Sequence, residues 1–175
     1  MRIALNMVSP SHGGGFNTYN SNILKGILDE NDRHQYFVFI NEKSINLFTI
    51  QKSGNVHVIN ISEKFSIRIA RQIWIQAIFP IYIYLNRIDI LFSPMNVMPI
   101  ILKLFNIRTI LGTHTNLPWL YPKDVPGGRL NLLFLKLFMN LSVKVSDRVI
   151  VDSKTAKKEL TEIFPNITRK TKTIY

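Results

Sequence analysis

Apolar residues along this 175-residue chain fall into short runs separated by amphipathic stretches. Runs of strand length occupy residues 3–8, 36–40, 56–61, 88–92, 109–112 and 148–151, with a last one at 171–175. Their Val, Ile and Phe side chains suit a pleated backbone. Between them the spacing predicts helices over residues 16–28, 66–86, 98–105, 129–145 and 155–164. In the first of these, Phe16, Tyr19, Ile23, Leu24, Ile27 and Leu28 make an apolar stripe, with Asn17, Asn20 and Ser21 between them. In the second, Arg68, Arg71, Gln72 and Gln76 make a polar stripe.

Strands that alternate with helices, and that are too apolar to have one solvated face, imply a parallel sheet covered on both sides. The expected fold class is therefore α/β, a doubly wound, mostly parallel, Rossmann-like sheet of about seven strands. Residues 1–175 read as a single domain without repeats or low-complexity segments. Ligands of such sheets collect outside the carboxyl ends of the strands, so the loops at 9–15, 93–97, 113–128 and 152–154 are where chemistry is expected. The stretch PWLYPKDVPGG at 118–128 is too rich in Pro and Gly for regular structure. The chain ends inside a strand-like run, which leads us to expect a longer protein with a second domain.

Composition narrows the chemistry. A hydrophobic content of 46% fits a folded domain, and with no cysteine there is neither a disulfide framework nor thiolate catalysis. His12, His34, His57 and His114 are too far apart for a local metal motif, so no metal site is expected. No export signal is read at the N-terminus, and residues 69–85 are interrupted by Arg71, Gln72, Gln76 and Pro80, so a cytoplasmic location is expected without a membrane span. The net charge of +11 and a pI near 10.0 favour an anionic partner: nucleic acid, acidic lipid or phosphorylated substrate. Between Lys64 and Ser146 stand Lys64, Arg68, Arg71, Arg87, Lys103, Arg108, Lys123, Arg129, Lys136 and Lys144 against Asp89 and Asp124 alone. Core packing is the expected use of the apolar faces at 66–86 and 129–145, leaving their basic edges for lipid headgroups.

Gly13-Gly14-Gly15 separates the first strand from the first helix. Such a turn is either a plain tight turn or a phosphate cradle, in which unpaired amides and the positive helix end face an anion. It lacks the Lys and hydroxyl residue of the nucleoside-triphosphate loop, and Thr18 stands where the dinucleotide fingerprint needs Gly or Ala. His114 follows the fifth strand and projects toward the crevice; Asn116 and Trp119 lie just beyond it, to hydrogen-bond or stack on a ligand, or in the case of Trp119 to anchor the loop. Ser9, Ser93 and Ser153 show no nucleophile-elbow pattern, and Ser153 is placed to cap the helix that follows it.

The order strand, glycine turn and long helix, then DILFSP at 89–94, TILGTH at 109–114 and SDRVIVDS at 146–153, resembles the N-terminal half of the retaining glycosyltransferases with two Rossmann-like domains. This is the GT-B fold of the large group 1 family that includes sucrose synthase and bacterial mannosyltransferases. The resemblance implies transfer of a sugar from a nucleotide-sugar donor to a polysaccharide, glycolipid or similar acceptor, with retention and without a cofactor or metal. It implies that this half shapes the acceptor site, with His12, Asn96, Asn116, Trp119 and Ser153 as candidate contacts. It further implies that Gly14 and Gly15 approach the donor phosphates and that His114 is the catalytic-site residue facing the donor sugar. The C-terminal domain in cis would carry the donor pocket, so residues 1–175 alone are expected to be inactive. Work on lipid-linked acceptors implies an anionic membrane surface as a partner, on the inner face of the cytoplasmic membrane. One departure stands out: Thr115 occupies the place where the family usually has aspartate. Two other readings stay open, a stand-alone module that recruits a donor-binding subunit to a membrane and, from charge alone, a nucleic-acid binder. The crevice loops lack the basic and aromatic platform of the latter, and no nucleic-acid partner is expected.

Overall fold

A computed structural model describes residues 1–9, 14–29, 33–47 and 54–174, which divide into two compact units, Met1–Phe92 and Ser93–Tyr175. The fold is α/β and Rossmann-like, with seven strands joined in parallel pairs and flanked by helices.

In the first unit β1 (Arg2–Met7) leads into α1 (Gly14–Asp29), β2 (Gln35–Asn41), a 3₁₀ turn (Glu42–Leu47) and β3 (Val56–Ile61). The strand order is β3-β2-β1, with β4 (Ile90–Ser93) on the other side of β1, so the winding reverses there as a doubly wound sheet requires. Leu5, Met7, Phe39 and Ile40 are fully buried although they point to alternate faces, which is why the strands read as continuous apolar runs. β4 begins later than its apolar run, because Arg87 turns at a φ of 50° and the Asp89 carboxylate accepts from the Arg2 amide at 2.7 Å.

The helix expected over 66–86 is α2 (Arg68–Ile73) and α3 (Phe79–Leu85), joined by a π turn at Trp74–Ile78. Pro80 has no amide and its ring crowds the carbonyl four residues back, and a widened turn relieves both problems. Trp74 and Phe79 stack at 5.6 Å, and Phe79 meets Phe39 edge-on at 4.7 Å, so the irregular turn seats the largest side chains of this core.

The second unit runs from a 3₁₀ turn (Ile100–Leu104) through β5 (Arg108–Thr113), α4 (Leu117–Leu120), a 3₁₀ turn (Pro122–Asp124), α5 (Gly128–Val145), β6 (Arg148–Val151), α6 (Lys154–Ile163) and a 3₁₀ turn (Pro165–Lys170) to β7 (Thr171–Thr173). β5, β6 and β7 pair in that order, in parallel. Two expectations are corrected. The helix expected over 98–105 is only a 3₁₀ turn, since Pro99 cannot donate and holds an extended ψ of 119°. The loop expected over 113–128 contains α4, whose Pro118 sits in the first turn where a missing amide costs nothing.

Met98, Leu111, Val143, Val149, Val151, Leu160 and Ile167 form the core of this unit. The Ser142 hydroxyl reaches out of α5 to accept from the Met98 amide at 3.0 Å, which fixes the chain before the 3₁₀ turn. Lys170 donates to the carbonyls of Lys144 and Ser146, placing a cation on the negative end of α5.

Candidate functional site

The chemistry-bearing residues of the second unit gather at the carboxyl ends of β5 and β6. Thr113 and Val151 are register partners, so the residues that follow them, His114 and Asp152, leave the sheet side by side. His114 Nδ1 lies 2.7 Å from Asp152 Oδ2, and Nε2 lies 2.7 Å from the Pro94 carbonyl oxygen. Both ring nitrogens are thus held by oxygen partners from two different loops, which fixes the plane of the ring. The His114 side chain is 13% exposed and that of Asp152 47%, so the pair opens to solvent on the carboxylate side.

The backbone around the ring is fixed as firmly. The His114 amide donates to Asn96 Oδ1 at 2.7 Å, and the Asn96 amide donates to the Gly112 carbonyl at 3.0 Å. Asn96 takes a φ of 62°, a left-handed conformation that Asn tolerates better than most residues. The Ser93 hydroxyl donates to the Val97 carbonyl at 2.8 Å and closes the same turn. Gly112 is required by contact: a Cβ there would sit 2.9 Å from Pro94 Cα and 3.6 Å from His114 Nε2. Three crevice loops therefore meet on one imidazole.

The other expected residues of this unit have defined places. Asn116 is buried, and its amide donates to Glu159 Oε2 at 3.1 Å. Trp119 meets Phe164 edge-on at 5.1 Å, an anchoring contact. Ser153 caps α6 by accepting from the Ala156 amide at 3.0 Å. Thr115 accepts from the Leu117 amide at 3.0 Å and so starts α4, while the carboxylate beside the histidine comes from Asp152 instead. The pattern SDRVIVDS carried that signal, since a residue following β6 must neighbour one following β5 once the two strands pair in parallel.

In the first unit Gly14 opens α1, and Gly15 is exposed with nothing within 4 Å of where a Cβ would stand. No acidic side chain occupies the first turn of α1. His12 and Gly13 lie outside the described residues. Sequence reasoning missed a polar relay beside this turn. The Ser9 amide donates to Asn41 Oδ1 at 2.8 Å, Asn41 Nδ2 donates to the Ser66 hydroxyl at 3.1 Å, and that hydroxyl donates to Glu63 Oε1 at 2.6 Å. The Ser9 hydroxyl also donates to Asn17 Oδ1 at 2.9 Å, tying the end of β1 to α1. The relay joins the carboxyl ends of β1 and β2 to the segment after β3, and its hint in the sequence is the polar residue closing each of the first two apolar runs, Ser9 and Asn41.

No helix among the described residues is long and apolar enough to cross a membrane. No protein-family model matches the sequence, and no curated protein matches it. Solved structures do match: one is a UGT transferase from Siraitia grosvenorii in complex with UDP, with a TM-score of 0.62 at 12% identity over 97% of this chain. This chain covers 49% of that structure, about half its length. At such an identity the likeness is one of fold alone, that of a Rossmann-like α/β domain.

Proposed function

We propose that this chain is the acceptor-side, N-terminal domain of a retaining, sugar-nucleotide-dependent glycosyltransferase of the group 1 type. Residues 1–175 make up the Rossmann-like domain, and a C-terminal domain in cis supplies the donor pocket. The observation that carries this reading is the likeness of 97% of the chain to about half of a transferase solved with UDP. The order of the glycine turn, His114 and the SDRVIVDS segment supports it. Acceptors of the polysaccharide or glycolipid kind, met at the inner face of the cytoplasmic membrane, fit the charge of +11.

In this reading the amides at Gly14 and Gly15 stabilise the charge that grows on the leaving diphosphate, without reorganising as it does so. His114 faces the donor sugar; the bond from Nε2 to the Pro94 carbonyl is the one a sugar hydroxyl competes for. Asp152 keeps the ring in place during that exchange. Trp119, Ser153 and His12 are acceptor contacts, while Asn96 and Asn116 set the shape of their loops.

The test compares residues 1–175 with the same chain extended by a second domain, using calorimetric titration with UDP-glucose and GDP-mannose and NMR of the product's anomeric centre. The extended protein binds one of these donors tightly, the shorter chain does not, and the product keeps the donor's anomeric configuration. Tight donor binding by residues 1–175 alone would overturn the division of labour, and an inverted product would overturn retention.

A further inference from the structure

The outer face of α5 is exposed. Leu130, Leu133, Phe134 and Leu137 follow one another at helical spacing and are 79%, 64%, 47% and 52% exposed. The core of this unit is served by the opposite face, where Met139, Ser142 and Val143 are buried. The apolar face expected to pack inward is thus two faces, and the leucine-rich one looks outward. α4 packs against α5 and adds exposed Leu120, with Tyr121 beside it. A contiguous apolar surface of this kind on a folded domain marks a partner.

Charge identifies the partner. From Leu117 to Val145 the bases are Lys123, Arg129, Lys136 and Lys144, and Asp124 is the only acid. At about 100° per residue Arg129 and Lys136 fall along one edge of the leucine stripe, and Lys144 continues its line. Leucine and phenylalanine in the middle with lysine and arginine at the rim is the arrangement that suits the boundary between acyl chains and anionic headgroups.

We propose that α5 and the adjoining α4 form a docking surface for an anionic phospholipid bilayer. Leu130, Leu133, Phe134 and Leu137 enter the headgroup–acyl boundary, and Lys123, Arg129 and Lys136 meet lipid phosphates. This assignment names the surface behind the membrane association in the proposed function. Its test reads no sugar transfer and no donor binding, so the two readings fail separately.

The experiment is co-flotation of the full chain with vesicles of phosphatidylcholine alone or of an equal mixture with phosphatidylglycerol. The wild-type chain floats with the anionic vesicles and far less with the neutral ones, and added salt weakens the binding. Leu133→Glu with Leu137→Glu lowers the partition onto anionic vesicles by about tenfold or more. Arg129→Glu with Lys136→Glu removes the preference for anionic over neutral vesicles. Arg129, Leu133 and Leu137 are exposed and Lys136 is half-buried, and circular dichroism melts check that the variants fold; Leu133→Ala provides a milder second test of the stripe. Equal flotation of the stripe variants and wild type overturns the proposal. So does a wild-type oligomer that the stripe variants dissociate without any vesicle binding, which would give the face to a second copy of the chain.

Discussion

His114 and Asp152 are joined at 2.7 Å although 38 residues separate them, because they leave paired strands at the same level. The carboxylate is half-exposed, so an ion pair there adds little to folding stability. Its value is in aiming the ring. Asp152→Ala is expected to change stability by less than about 1 kcal/mol in chemical denaturation. In an enzyme carrying the second domain it lowers kcat by roughly 10²-fold with little change in the donor KM, as loss of positioning does. An equal rise in KM and unchanged kcat would make Asp152 a plain binding residue.

Gly112→Ala tests how tightly the same ring is packed. The new Cβ would meet the Pro94 backbone at 2.9 Å, and backbone cannot swing away as a side-chain tip can. We expect a loss of about 1–3 kcal/mol by thermal denaturation. An unaltered melting temperature would mean that the Pro94 turn yields freely.

Gly15→Ala and Gly26→Ala make a matched pair within α1. Neither Cβ meets anything within 4 Å, and alanine is the better helix former. Each is expected to raise stability by roughly 0.5–1 kcal/mol. In transfer assays on an enzyme carrying the proposed second domain they should part: under the proposed phosphate role a methyl group at position 15 obstructs the diphosphate, so Gly15→Ala slows turnover and Gly26→Ala does not. Identical turnover for the pair would remove the phosphate role from Gly15.

Acid stability should report on Asp147. Burial acts to raise its carboxyl, but the Thr109 amide at 2.8 Å, the Thr109 hydroxyl at 2.9 Å and the Lys103 ammonium outweigh it and hold it below the usual carboxylate range. A carboxyl lowered in the folded state contributes stability above its unfolded value of about 4, and this is lost as pH falls through the lowered folded value. Asp147→Asn should therefore be less stable than wild type at neutral pH, with the two converging under acid in urea denaturation at several pH values. Lys103→Ala, removing only an exposed partner at 3.5 Å, costs less than about 1 kcal/mol.

Much of the architecture was legible because burial and periodicity agree. β3 and β6 coincide with their apolar runs, and α1, α5 and α6 lie within a residue or two of theirs. What was not legible depends on proline and on partners distant in sequence. Pro99 and Pro118 decide whether an apolar stretch becomes a 3₁₀ turn or a short helix, and the outcome rests on which amides are already unneeded. In the candidate site, His114 was marked by its place after a strand and Ser153 by its place before a helix. Asp152 as the partner of His114, and the burial of the Asn96 and Asn116 amides, required knowing which strand lies beside which. The outward stripe of α5 was hidden for a different reason: a helix with leucines on most of its circumference gives no pattern to say which side faces the core.

The wide turn at Trp74–Ile78 sets how this helix can vary in length. The Phe79 amide bonds back five residues to the Trp74 carbonyl, so this turn holds one residue more than a regular α-turn would. Losing a single residue there would return the turn to ordinary α geometry and press the Pro80 ring back onto the carbonyl four residues before it. The same deletion within α5 would rotate everything after it by about 100° and carry Met139 and Val143 out of the core. The extra residue is thus the slack that lets a proline lie between α2 and the end of α3, and it fixes the length of the helical path between β3 and β4.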